Sequence, residues 1–249
     1  MTDTILEVCC GDLGSVAAAA EGGAGRVELC VGLGEGGFTP SVAMVEAAMR
    51  HNIKVNVLVR ARSGDFLYSD DEKAMMLRDA EMLSSMGVNA VVCGALLADG
   101  SIDTDFCRAL ADVCRGTELT FHRAFDVCRD PLQAIEQLIE LGFTRILTSG
   151  QAASALDGTD LLRRLVEQSR GRITILAGGG VNPQNAAMII SRSGVSELHA
   201  SARTQVKSLM QYRVDGVSMG APESDEYIRA TTSAAVVRDI VNAMKTVKI

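Results

Sequence analysis

Eight short runs of aliphatic and β-branched residues alternate along the chain with stretches whose apolar positions recur every three to four residues. The first pattern predicts half-buried strands and the second amphipathic helices. The strand candidates are ILEVC (5–9), RVELC (26–30), KVNVLV (54–59), NAVVC (89–93), ELTFH (118–122), TRILT (144–148), ITILA (173–177) and VSELH (195–199). Helices are predicted near 12–22, 41–51, 71–86, 103–114, 131–141, 158–169, 183–192 and 233–247. Asp70, Asp130-Pro131 and Asn182-Pro183 stand where the third, fifth and seventh helices should be capped, and Gly87, Gly142 and Gly194 stand where helices should end.

Eight strand–helix units in 249 residues predict an α/β fold, a single-domain (β/α)8 TIM-type barrel over residues 1–249. A doubly wound dinucleotide fold would need G-x-G-x-x-G after the first strand, where the chain reads Cys10-Gly11-Asp12-Leu13-Gly14. One phase of the strands also carries polar groups: Glu7, Glu28, Asn56, Thr120, His122, Glu197 and His199. That fits a barrel interior approaching its open end. Residues 203–232 are too long for an ordinary connection, and Met210, Tyr212, Val217 and Met219 within them predict a cover over one barrel end or an oligomer contact.

Composition narrows the functions. A formal charge of −7 without a Lys/Arg cluster argues against a nucleic-acid partner. Met1-Thr2-Asp3-Thr4 leads directly into the first strand, so no signal peptide is expected, and no apolar run is long enough to span a membrane. Seven cysteines without a C-x-x-C pair suggest reduced thiols in a cytoplasmic protein rather than a disulfide framework or zinc ribbon.

Barrel chemistry gathers at the C-terminal ends of strands and the loops that follow. By that rule the candidate catalytic residues are Glu7, Glu28, Arg60, His122, Arg123 and Asp126. Carboxylates, arginines and a histidine converging on one mouth suit proton transfer or anion binding; the alternative is an internal salt-bridge network filling the barrel. The run AGGGV (177–181) puts Gly178, Gly179 and Gly180 after the seventh strand, and HASAR puts Ser201 and Arg203 after the eighth. Glycines admit close approach to backbone N–H groups, so these five residues form a candidate anion or phosphate site. Tight turns alone would also use glycine. Glu7/Cys9 and Glu28/Cys30 repeat a Glu-x-Cys pattern on the first two strands, which makes Cys9 and Cys30 candidate ligands for copper(I) and leaves Cys10 on the opposite strand face. Packing or a pocket wall is the alternative role for Cys9 and Cys30, and buried packing is the simplest role for the remaining thiols.

LEVCCG, VELC…EGGFTPS (27–41), TFHRAFD (120–126), ILTSG (146–150), AGGGV and YRVDGVSMG together resemble the CutC family, in order and over nearly the whole chain. The resemblance implies a cytoplasmic TIM-type barrel, a homodimer, assigned to copper homeostasis or copper binding. Carried over by motif, the pocket residues are Glu7, Glu28, Cys30, Arg60, His122, Arg123 and Asp126. The family's R-P-R-G-G-D-F after the third strand reads Arg60-Ala61-Arg62-Ser63-Gly64-Asp65-Phe66 here, which puts the bend of that loop in question. Beside copper binding stand an enzyme acting on a small anionic, phosphorylated metabolite and a non-catalytic sensor of such a ligand. Arginines favour the last two, since they repel cations and need anionic partners.

Overall fold

The computed structural model describes residues 4–214, 216–217 and 225–247. Eight parallel strands close into a barrel in sequence order: β1 (Ile5–Cys10), β2 (Arg26–Leu29), β3 (Lys54–Leu58), β4 (Ala90–Cys93), β5 (Glu118–Phe121), β6 (Arg145–Thr148), β7 (Thr174–Gly178) and β8 (Glu197–Ala200). The helices around it are α1 (Leu13–Gly22), α2 (Val42–Ala48), α3 (Asp70–Ser85), α4 (Thr104–Val113), α5 (Pro131–Glu140), α6 (Thr159–Ser169), α7 (Ala186–Ser193) and α8 (Ala234–Lys245).

Period-2 alternation divides each strand between two cores. Outward residues such as Leu6, Val8 and Cys10 of β1 and Val27 and Leu29 of β2 pack under the helices, which contribute Leu83, Leu110, Leu138, Leu162 and Ile240. Inside the barrel, Cys9, Cys30, Leu58 and Val92 make a separate small apolar cluster against Leu33. The adjacent cysteines are thus split between the two cores, as strand geometry requires.

Below that cluster the interior is ionic. Arg26 Nε donates to Glu7 Oε2 at 2.5 Å, and Arg26 Nη2 donates to Glu197. Arg145 Nε reaches Glu197 Oε2 at 2.7 Å, and Arg145 Nη1 reaches Glu118 at 3.2 Å. Asn56 Nδ2 donates to Glu7 Oε2 at 2.8 Å. The register sets Glu7 beside Arg26 and Thr120 beside Arg145. The salt-bridge network therefore fills the lower barrel, built on two arginines at strand starts that the polar phase Glu7–Glu28–Asn56–Thr120 did not include.

Two helix starts differ from expectation. Asp70 is inside α3; the cap is Ser69, which accepts from Glu72 N while the Glu72 side chain accepts from Ser69 N. The reciprocal box uses two backbone donors where Asp70 could use one. Asn182-Pro183 does not open α7, because Asn182 Oδ1 accepts from the N–H groups of Gln184 and Asn185 and forms a turn. The helix begins at Ala186.

Residues 203–232 contain two further strands, β9 (Arg203–Lys207) and β10 (Ile228–Thr232), paired antiparallel. Ser233 N bonds to Ala202 O and Thr232 N to Ser15 Oγ, which anchors the base of this arm beside α1. Met210, Tyr212 and Val217 are exposed on it; Met219 and residues 222–224 lie outside the described residues.

Removing one member of a buried ion network leaves its partners charged and uncompensated. Arg26→Met is expected to cost about 3–5 kcal/mol of unfolding free energy, read as a lower urea midpoint at an unchanged m-value.

Candidate functional site

A cavity of about 480 Å³ opens at the C-terminal end of the barrel. Its lining includes Cys9, Glu28, Arg60, His122, Arg123, Gly179, Gly180, His199, Ser201 and Arg203. This is the size of an ordinary small-ligand pocket. Most of the sequence-predicted residues meet here. Glu7, Cys30, Asp126 and Gly178 do not line it; they lie behind it and support it.

Glu7 is fully buried. Burial alone would raise its pKa, but His199 and Arg26 outweigh that and hold the carboxyl down at about 2. It is a fixed anion. Its Oε1 receives the Nδ1–H of His199 at 2.8 Å, so the other imidazole nitrogen, Nε2, faces Glu28 Oε2 at 3.8 Å. Burial opposes charge on His199, yet Glu28, Cys9 and Glu7 together lift its pKa well above the usual histidine value. Burial raises the pKa of Glu28. Glu28 and His199 form the polar floor of the cavity. His199 stands outside the predicted site residues, although it shares the inward phase of Glu197; only the closed barrel, pairing β1 with β8, shows that it meets Glu7.

His122, on the far side of the ring, is in the opposite charge state. Burial and the nearby Arg60 guanidinium depress its pKa to about 3. Its Nδ1 accepts from Ala124 N at 3.2 Å, which assigns the hydrogen to Nε2. His122 is a neutral donor at neutral pH, and a poor base.

Arg60 is buried with no carboxylate partner among the described residues. Three of its N–H groups go to carbonyls: Nη1 to Glu35 O (3.1 Å) and Gly37 O (3.3 Å), Nη2 to Gly64 O (2.9 Å). The loop after β3 is closed by these bonds and by Arg62, which holds Asp65 at 2.9 Å and Glu72 at 2.7 Å. Ala61 and Ser63 do not prevent that closure.

Arg123 lines the mouth with its Nε on Asp126 Oδ2 at 2.6 Å and Nη2 on Ser149 Oγ at 3.1 Å. Asp126 also accepts from Thr148 Oγ1, Ser149 N and Gln151 N. With its oxygens so occupied, Asp126 holds Arg123 in place at the mouth. Gly179 and Gly180 take φ of +112° and +73°, a region closed to most side chains, and among the described residues the Gly180 and Val181 N–H groups meet no protein acceptor.

Cys9 and Cys30 bring their sulfurs within 3.8 Å. With a Glu28 oxygen they form a set of three donor atoms all within 4.8 Å of one another. The Cys30 contact, burial and the Glu28 charge raise the Cys9 pKa well above the usual thiol value. The seven cysteines are all buried and free, and no described helix is long and apolar enough to cross a membrane.

The chain has three histidines, so their states can be read individually. In ¹⁵N-histidine NMR, His199 is expected to remain imidazolium at neutral pH and His122 to remain a neutral Nε2–H tautomer into the acidic range. Glu7→Gln should lower the His199 pKa and leave His122 unmoved; a His199 that titrates like a free imidazole would contradict this geometry.

The profile of the CutC family matches residues 4–204. A family protein CutC of Chromobacterium violaceum is 51% identical over 243 residues, covering 97% of this chain and 98% of its own. The human protein named copper homeostasis protein cutC homolog is 44% identical over 238 residues, 95% of this chain and 87% of its own. The crystal structure of CutC from Streptococcus agalactiae superimposes with a TM-score of 0.76 at 34% identity, covering 80% of this chain and 98% of that one. With a closed eight-stranded barrel, a mouth built from the predicted motifs and relatives matched over nearly their full length, this chain belongs to the CutC family.

Proposed function

We propose that the barrel mouth binds a small anionic, phosphorylated metabolite, as an enzyme site or as a sensor. The observation that carries this reading is the charge of the lining: Arg60, Arg123 and Arg203 reach one cavity, and neither Arg60 nor Arg203 has a carboxylate partner among the described residues. Unneutralised guanidinium groups in a partly enclosed site call for an anion. The Gly180 and Val181 N–H groups beside Arg123 are suited to phosphate oxygens. At the floor, Glu28 and His199 could exchange a proton with whatever lies above them.

A thermal-shift series with inorganic phosphate and sugar phosphates tests this. Stabilisation by several degrees at millimolar ligand is expected for the wild type and should be lost in Arg123→Ala. No shift with any anion would overturn the reading.

A second reading follows from the paired thiols and from the name carried by the human relative, copper homeostasis protein cutC homolog. Cys9 and Cys30 would hold copper(I), the soft ion that two thiolates favour. With metal–sulfur bonds of roughly 2.3 Å, a 3.8 Å separation subtends a near-tetrahedral angle. That leaves room for a third donor, which Glu28 would supply. Binding must displace thiol protons, and the raised Cys9 pKa makes that costly at low pH. Anaerobic copper(I) titration should reach one ion per chain, weaken as the pH falls from 8 to 6, and fail in Cys30→Ser. Affinity unchanged by that substitution would exclude the site.

A further inference from the structure

The anion reading does not say what kind of anion the cavity takes, and the placement of its cations bears on that. Arg123 and Arg203 belong with Gly179, Gly180 and Ser201: the Arg123 guanidinium carbon lies within van der Waals distance of where a Gly179 Cβ would stand, 3.7 Å away. Arg60 belongs elsewhere. It extends from the end of β3, and Phe66 joins it to His122, with the Arg60 guanidinium 5.2 Å and the His122 ring 5.0 Å from the Phe66 ring centre. The cavity thus has two groups of donors, one on the β6–β8 side and one on the β3–β5 side. Between them the floor is Glu28 and His199.

Glu35 lines the cavity beside this second group, but among the described residues no carboxylate forms an ion pair with Arg60. Carbonyls of Glu35, Gly37 and Gly64 orient Arg60 and satisfy three of its donors, but a carbonyl has no charge to neutralise a guanidinium. A Cβ at Gly36 would fall 2.8 Å from Arg60 Nη1, so the loop closes over the guanidinium only because residue 36 is glycine. His122 Nε2 is buried without an acceptor. A ligand that placed only a phosphate against the glycine loop would leave Arg60 charged and unpaired, and His122 Nε2–H unbonded, inside an occupied cavity; both are costly.

We infer that the ligand carries two anionic groups: a phosphate on the Gly179–Gly180, Arg123 and Arg203 side, and a carboxylate on the Arg60 and His122 side. This rests on the anion reading of the same cavity. A carboxylate suits the second position because it accepts from two directions at once, matching the free edge of Arg60 and the single N–H of a neutral histidine. The stretch between the two groups is uncharged and polar, since it crosses Glu28, which would repel a third negative charge, and His199, which would hydrogen-bond to it. The ligand class is a short phosphorylated carboxylic acid.

Calorimetric titration of the wild-type protein with matched probes decides this without any substitution. The pairs are 2-phosphoglycolate against ethyl phosphate, and 3-phosphoglycerate against glycerol 3-phosphate, each differing by the carboxylate. At least one acid should bind about tenfold or more tightly than its partner. Arg60→Gln should remove that difference, while Arg203→Ala should weaken both members of a pair alike. Because Arg60 also ties two loops, His122→Gln provides a second variant, expected to reduce the difference between the members of each pair. If phosphate-only probes bind and the carboxylate adds less than twofold in both pairs, the two-anion inference fails and the anion reading stands. If no phosphate-bearing probe binds at millimolar concentration, both fall together.

Discussion

The site depends on one buried carboxylate. Glu7 cannot be reached by solvent, and it is held ionised by Arg26 below and His199 above. Through Arg26 it belongs to the network of Glu197, Arg145 and Glu118 that fills the lower barrel. Through His199 it belongs to the cavity floor. A purely aliphatic interior would have served stability as well, since buried ion pairs are weak stabilisers relative to apolar packing. What the ionic interior adds is a fixed direction for one imidazole: Nδ1 committed downward, Nε2 presented to Glu28.

The two histidines of the cavity show how position on the ring decides chemistry. His199 sits between carboxylates on β1 and β2, and His122 sits beside Arg60. Burial works against charge on both, so the neighbours decide, and they decide oppositely. The cavity therefore holds a cationic donor and a neutral donor on different strands of its wall. Neither state could be assigned from the histidine's own sequence neighbours.

The barrel was legible in the sequence because its signal is periodic and repeated. Eight strand runs recur with the right spacing, and inward phase correctly grouped Glu7 with Cys9 and separated Cys10. The mouth was legible because strand ends are where barrels keep their polar groups; Arg60, His122, Gly179 and Arg203 could be chosen on that rule alone. Contacts across the ring were not. Arg26 and Arg145 sit at strand starts, where exposure to solvent is the ordinary expectation, and it is closure that turns them inward against Glu7 and Glu197. Asp126 reads in sequence as a candidate catalytic residue three positions after Arg123, and the structure shows its oxygens occupied by the β6 loop, from a part of the chain 22 to 25 residues away. Helix starts were misjudged where a side chain chose a neighbouring donor, as Ser69 and Asn182 did.

That occupied Asp126 has a consequence for affinity. Arg123 is nearly half exposed, and such a side chain would ordinarily sample many rotamers until a ligand stopped it. Asp126 and Ser149 stop it beforehand, with the ordering cost met as the β5 and β6 loops fold together. Freezing a long side chain on binding costs about 0.5–1.5 kcal/mol, so a pre-set arginine spares an incoming anion up to about tenfold in affinity. On the proposed anion reading the gain comes with a fixed angle of approach: Arg123 already points one way, and an anion arriving elsewhere would not draw it along.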